Sequence, residues 1–113
     1  QMKTSSAKAK GRRLCQAVKD VLLSWAPDLR PDDIIVTSSG APGEDLKLSP
    51  RAREIYPITW EMKNVEKLNV WQAFEQAEAH AEGTDHIPVL AFSRNRSSIL
   101  VTLKLDHFLK LIR

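Results

Sequence analysis

Cysteine, glycine and aromatic residues are scarce in this 113-residue chain: one Cys, four Gly and 6% Phe, Trp and Tyr together. A lone Cys15 excludes an internal disulfide and a multi-thiolate zinc site, which suits a reducing, cytoplasmic setting. The thiol itself reads as a small buried apolar group. No apolar run approaches the roughly 20 residues that a membrane helix needs, and the N-terminal stretch lacks the hydrophobic segment of a signal peptide. The order Gln1-Met2 reads as a natural start at Met2. Repeats and low-complexity tracts are missing too, and 42% hydrophobic with 27% charged residues excludes a disordered chain. A single soluble domain over residues 1–113 follows, with residues 1–4 a flexible basic lead.

Acidic residues are absent from residues 1–13, which carry five positive charges (Lys3, Lys8, Lys10, Arg12, Arg13). Residues 44–85 hold nine acids against five bases, and residues 86–113 hold five bases against Asp106 alone. The modest net charge of +3 therefore hides an acidic middle between two basic ends. Folded side by side, these would set a cationic rim around carboxylates, an arrangement suited to phosphates. Solvated surface charge is the ordinary alternative.

Residues 5–26 read as a helix, capped by Ser5 or Ser6, with Leu14, Val18, Val21, Leu22 and Trp25 on one apolar stripe and Pro27 as the stop. Ile34 to Thr37 is a β-branched strand, and Ser38 to Gly43 is a loop by composition. Glu44 to Leu48 alternates as a half-buried strand, and Ser49-Pro50 starts a short helical turn. Ile58 to Lys63 is a strand whose period of two puts Glu61 and Lys63 on one face, Trp60 and Met62 on the other. Residues 69–82 form a helix capped by Asn69, with Val70, Phe74, Ala77 and Ala81 inward and Gly83 at its end. Ile87 to Phe92 is a strand covered on both faces, and Arg94-Asn95-Arg96 turns into Ile99 to Leu103. Asp106 caps a last helix carrying Phe108, Leu109 and Ile112. The order α-β-β-β-α-β-β-α implies an α/β or α+β domain, one mixed sheet with helices packed on it.

Strand geometry makes three residues converge. Asp45 follows a glycine-containing loop, and Glu61 and Lys63 sit two apart on a neighbouring strand. Carboxylates facing each other across strands repel unless a cation lies between them. A hard divalent ion such as Mg²⁺ accepts one or two carboxylates plus waters and leaves room for phosphate oxygens. Lys63 beside Glu61 would orient or help deprotonate an attacking water, or neutralise phosphate charge. Metal-assisted hydrolysis of a phosphodiester is the chemistry these residues point to.

Glu44-Asp45 followed by Glu61-Met62-Lys63 on the next strand resembles the PD-(D/E)XK nuclease superfamily, whose motif lies in a restriction-endonuclease-like αβββαβ core. More narrowly, the chain looks like phage-encoded endonucleases carrying K-G-R-R-L, S-S-G-A-P-G-E-D and W-E-M-K-N-V-E-K-L-N-V-W-Q, which are similar to archaeal-type Holliday-junction resolvases of DNA recombination and repair. The resemblance covers nearly the whole chain. It implies that Asp45 and Glu61 bind Mg²⁺, or Mn²⁺ in its place, with help from the Met62 carbonyl, and that Lys63 is catalytic. It also makes Gln72 a candidate contact to the metal water or to backbone phosphate, with Gln76 a weaker one. Glu44 replaces the family's Pro and adds an acid. The archaeal-type enzymes carry a Glu on the first helix after a Lys-Gly pair; after Lys10-Gly11 that position holds Cys15, with Gln16 beside it as a possible accessory. The number of metals stays open on this point.

Lys8, Lys10, Arg12, Arg13, Arg94 and Arg96 are the first candidates for phosphate contact, with Lys47, Arg51, Arg53 and Lys67 behind them. Asn64 and Ser39 read equally as phosphate donors or as turn and loop residues. His80, His86 and His107 lack metal-ligand spacing and read as non-catalytic, and Trp25, Trp60 and Trp71 read as core or interface. The expected function is a metal-dependent endodeoxyribonuclease that nicks four-way junctions as a homodimer, since one short chain supplies one site. Alternatives are a nuclease for nicked, flapped or duplex DNA, and a DNA-binding module that kept the fold without catalysis.

Overall fold

Twenty-one residues, Thr4–Ser24, wind into the first helix, α1. The structure is a computed structural model and describes residues 4–37 and 44–113, with the side chains of residues 4–6 excepted. The expected loop over Ser38 to Gly43, including Ser39, lies outside the described residues, as do residues 1–3 of the expected flexible lead. Thr4 already belongs to α1, and so do Ser5 and Ser6, which therefore do not cap it.

The buried line of α1 is Leu14, Val18 and Leu22, an i, i+4, i+8 row, with Cys15 beside it. Val21 and Trp25, expected on the same stripe, face solvent, Trp25 at 82% exposure. The correction follows from what lies beneath: the helix rests on a narrow sheet, which covers one row rather than a broad stripe. Ala26 and Leu29 anchor the exit, after the helix closes with Trp25 N–H donating to the Val21 carbonyl. Two side-chain hydrogen bonds fix the axis of α1: Tyr56 Oη donates to the Leu22 carbonyl (2.6 Å), and Asn64 Nδ2 donates to the Lys10 carbonyl (3.0 Å).

A short 3-10 turn, Pro31–Asp33, leads into β1 (Ile34–Val36), which pairs antiparallel with β2 (Leu46–Leu48). Ile34 and Leu46 are fully buried while Ile35 and Lys47 face out, the alternation of a half-buried pair. Ser49 caps α2 (Pro50–Ile55) by accepting from the Ala52 N–H, and its hydroxyl donates to Asp33 Oδ1, closing the open end of the hairpin.

The second sheet has the order β3–β4–β5, with β3 (Ile58–Asn64) parallel to β4 (Ile87–Ser93) and β4 antiparallel to β5 (Leu100–Thr102). The fold is thus α+β, with a three-stranded mixed sheet and a separate two-stranded one, where a single mixed sheet was expected. The reason lies at Asp45: its N–H reaches the Trp60 carbonyl at 3.3 Å, but the chain bends there and the ladder stops.

Five successive residues of β3, Ile58 to Met62, are buried, so both faces are covered. Ile58, Trp60 and Met62 join the α1 row and β1–β2 in the main core. Helix α3 (Val70–Ala81) covers the other face through Ala73, Ala77 and Ala81. Asn69 Oδ1 caps α3 by accepting from the Gln72 N–H, as expected, and Gly83 at φ +81° follows its end. Phe74 and Val70 are only half-buried, because the alanine row lets the helix approach closely and leaves larger side chains at its flanks. Helix α4 (Leu105–Leu111) begins after Lys104, so Asp106 sits inside the first turn, where it suits the helix dipole without capping. No helix among the described residues is long and apolar enough to cross a membrane.

Candidate functional site

Asp45 meets β3 twice. Its N–H donates to the Trp60 carbonyl, and its Oδ2 accepts the Met62 N–H at 2.7 Å. The carboxylate thereby takes the place that a backbone carbonyl would occupy in a continued ladder, and it holds Asp45 astride Glu61. Glu61 and Lys63, two apart on β3, lie on the same face: Lys63 Nζ is 3.6 Å from Glu61 Oε2. The three residues singled out from sequence are brought together.

Glu61 is 6% exposed, which is unusual for a carboxylate. Burial pushes its carboxyl above the usual range, and Asp45 pushes it further; Lys63 and His80 pull the other way. Burial likewise raises Asp45, against the Met62 N–H and the charges of Lys63 and His80. Cys15, on α1, is pushed up to about 12 by burial first and by Asp45 and Glu61 next. In the metal-free protein it is therefore a neutral thiol at neutral pH.

His80 is the residue that sequence reading missed. Its Nδ1 lies 3.1 Å from Glu61 Oε1, yet neither atom makes a hydrogen bond. The two groups are in ion-pair contact, but they are not aligned as a hydrogen bond. A signal was present: Gln72, Gln76 and His80 are an i, i+4, i+8 row, and the row begins one cap after the Glu-x-Lys strand. Gln72 and Gln76 themselves are exposed, the former contributing its backbone N–H to the Asn69 cap.

Other expected participants are engaged elsewhere. Both oxygens of Glu44 accept from Arg53 Nη2 at 2.7 Å, and Arg53 also donates to the Ile58 carbonyl, so this pair fastens α2 to β3. Gln16 faces solvent and donates to Asp20, while Cys15 is the α1 residue turned inward. Arg51 donates to the Asp28 carbonyl. Lys10 is buried and pairs with Glu66 at 3.8 Å, and Asn64 is committed to α1, so neither is an open phosphate donor. Trp60 is core, whereas Trp71, at 85% exposure, is not.

Lys8, Arg12 and Arg13 remain exposed on α1, and Arg94 and Arg96 on the turn from β4 to β5. Glu66 connects the two sets: it pairs with Lys10 and accepts the Asn95 N–H at 2.7 Å. The two basic ends of the sequence are adjacent at the Asn64 end of β3. A separate cavity of about 900 Å³ between α3, β4 and α4 is lined by Glu78, Glu82, Asp85, His86, His107 and Lys110, and none of Asp45, Glu61 or Lys63 borders it. Among the described residues, no three His, Cys, Asp or Glu side chains are gathered into a group able to hold a metal ion. Comparison with family models, with curated proteins and with solved structures finds no match to this chain.

Proposed function

We propose that this protein is a divalent-metal-dependent endodeoxyribonuclease with a restriction-endonuclease-like core of the PD-(D/E)XK type. In this reading it nicks four-way DNA junctions as a homodimer. The observation that carries the proposal is a nearly buried Glu61 flanked by Asp45 and Lys63, with Asp45 pinned by the Met62 amide. A fold gains nothing in stability from two carboxylates whose proton affinity is raised by burial, that of Glu61 also by the neighbouring Asp45. A cation between them removes that cost.

The donor set suits a hard ion. Glu61 Oε1 is buried without a hydrogen bond, Asp45 commits Oδ2 to Met62, and carboxylate oxygens are what Mg²⁺ accepts. Two protein carboxylates, with the Met62 carbonyl as a third donor, leave positions for water and phosphate. Bound there, Mg²⁺ or Mn²⁺ would supply Lewis-acid polarisation of the phosphate and a more acidic water. Lys63, more open to solvent than Glu61, would contact the scissile phosphate while its partner stays buried. Lys8, Arg12, Arg13, Arg94 and Arg96 form the rim along which the backbone would lie, giving register and affinity without base readout.

Symmetric nicks need two sites. Phe108 and Leu109 on α4 and Ile112 at its C-terminal cap are exposed, as is Trp71, and this apolar surface is where a second copy would dock with two-fold symmetry. The test is cleavage of a four-way junction with and without Mg²⁺ by wild type and Glu61→Ala, alongside nicked, flapped and plain duplex substrates at fixed salt. Paired symmetric nicks only in metal, lost in Glu61→Ala, support the reading. Wild-type cleavage by Glu61→Ala sinks it, and equal cutting of all substrates replaces the junction with DNA in general.

A further inference from the structure

We propose that two copies of this chain join edge to edge along β5, antiparallel and two-fold symmetric, so that their three-stranded sheets run on as one six-stranded sheet. The inference rests on the homodimer of the proposed function and names the backbone seam that makes it.

The sheet order β3–β4–β5 leaves β5 as an outer strand, and among the described residues nothing pairs with its far side. The opposite edge is treated differently. There Asp45 meets β3 twice, through its N–H to the Trp60 carbonyl and its Oδ2 to the Met62 N–H. Exposed edges are ordinarily blunted by Lys, Pro or an inward charge. From Ser97 to Leu103 there is no charged residue and no proline. Successive residues of a strand point to opposite faces, and here both are open: Leu100 is 56% exposed and Val101 54%. A strand apolar on two uncovered faces, with one unpaired edge, is built to receive another strand.

The neighbouring surface continues it. Leu105, Phe108, Leu109 and Ile112 form an i, i+3, i+4, i+7 row along α4 to its C-cap, and all four are exposed. A cavity of about 420 Å³ lined by Trp71, Phe74, Leu103 and Leu105 ties this row to α3 and to the end of β5. Trp71, Leu100, Val101, Leu105, Phe108 and Ile112 together expose roughly 800 Å² per protomer, the share of one partner in a stable interface. A second copy fits the charges as well. Antiparallel pairing about the middle of β5 brings Lys104 of one copy against the uncharged stretch of the other, so no like charges meet. Five strand spacings then separate the two β3 strands, about 24 Å, which fixes both Glu61–Lys63 pairs in one continuous sheet.

The test combines sedimentation of the full chain with amide hydrogen exchange of wild type. Wild type is expected to be a dimer at micromolar concentration. In it the β5 N–H groups that point away from β4 exchange at least about tenfold more slowly than after dilution to monomer. Val101→Lys, at an exposed site, is expected to raise the dimer dissociation constant at least about tenfold, while Trp25→Lys, exposed beyond α1, leaves it unchanged. A monomeric wild type overturns the proposal, and so does a dimer whose outward β5 N–H groups exchange as fast as in the monomer; neither result depends on a variant that folds. Undiminished dimerisation of Val101→Lys overturns it too. A dimer with protected β5 that cuts no DNA upholds the seam and refutes the nuclease reading. Paired nicking by a protein whose β5 edge stays unprotected refutes the seam and leaves that reading standing.

Discussion

The Met62 amide donates to Asp45 Oδ2 at 2.7 Å, so a side chain, not the backbone, completes the contact between the two sheets at this point. The bond sets Asp45 beside Glu61 whether or not a cation is present. Removing the acceptor leaves a buried N–H unpaired, at a cost of about 1–3 kcal/mol. Asp45→Ala is therefore expected to lower the urea midpoint, while Asp45→Asn, whose amide oxygen still accepts, keeps most of the stability and loses divalent-ion affinity. Parallel urea and calorimetric titrations of the two variants separate these effects. Equal stability of both variants would remove the structural role.

Glu61 is a different case, since its neighbours include Asp45 as well as Lys63 and His80. Burial and the Asp45 charge outweigh Lys63 and His80, so Glu61→Gln is expected to stabilise the metal-free protein. Added Mg²⁺ or Mn²⁺ reverses the ranking, because ligand bound to the folded state stabilises only the wild type. Thermal melts of both proteins with and without metal decide it; a Glu61→Gln protein that melts lower than metal-free wild type contradicts the account.

Cys15 gives a pH dependence with a definite sign. Its thiol ionises near 9.0 when unfolded and near 12 when folded. Below pH 9 both states hold the proton and nothing is lost. Between pH 9 and 12 the unfolded chain releases it while the folded chain does not, so stability falls as pH rises through that window, by up to about 4 kcal/mol. The slope of urea stability from pH 9 upward is expected to be shallower in Cys15→Ala than in wild type. Native Cys15 is also expected to resist thiol reagents at pH 8 until the protein unfolds.

Glu66 pairs with Lys10 on α1, the helix that carries Arg12 and Arg13, and accepts the Asn95 N–H on the turn that carries Arg94 and Arg96. Each arginine that neutralises a phosphate contributes about one unit to the salt slope of binding. Arg12→Ala with Arg94→Ala should therefore flatten the plot of log K against log salt by about two units, without altering preference among sequences. Glu66→Ala, which adds net positive charge, should still weaken binding by loosening the turn from α1. Tighter binding by that variant would deny Glu66 its organising role.

On α4, Phe108→Glu places a charge in the exposed apolar surface. Sedimentation is expected to find a dimer in wild type and a monomer in this variant, with the melting temperature little changed because Phe108 is not part of the buried core. A monomeric wild type at micromolar concentration removes this surface from consideration.

Much of this was legible along the chain because local patterns dominate there. The β-branched and aromatic run of β3, the Asn69 cap and the continuous apolar β4 all form where their periodicity places them. Asp45, Glu61 and Lys63 could be brought together on paper because strand periodicity fixes faces. What was hidden depends on how wide a neighbouring surface is, or on a partner far along the chain. Trp25 has the spacing of a core residue and no sheet beneath it. Lys10 looks like an open phosphate donor until Glu66, 56 positions away, arrives beside it. His80 carries no motif at all; only the closeness of α3 to β3 makes it a neighbour of Glu61.

That closeness is set by Ala73, Ala77 and Ala81, three methyl groups that act as a shim between helix and strand. A shim of this kind tunes distance one carbon at a time. A larger residue at position 77 would lift α3 and draw His80 away from Glu61 while leaving the α1 side of the core intact. The site is thus held to a finer tolerance than the fold that carries it, and small changes on the back of a helix become a means of adjusting chemistry without touching a reactive group.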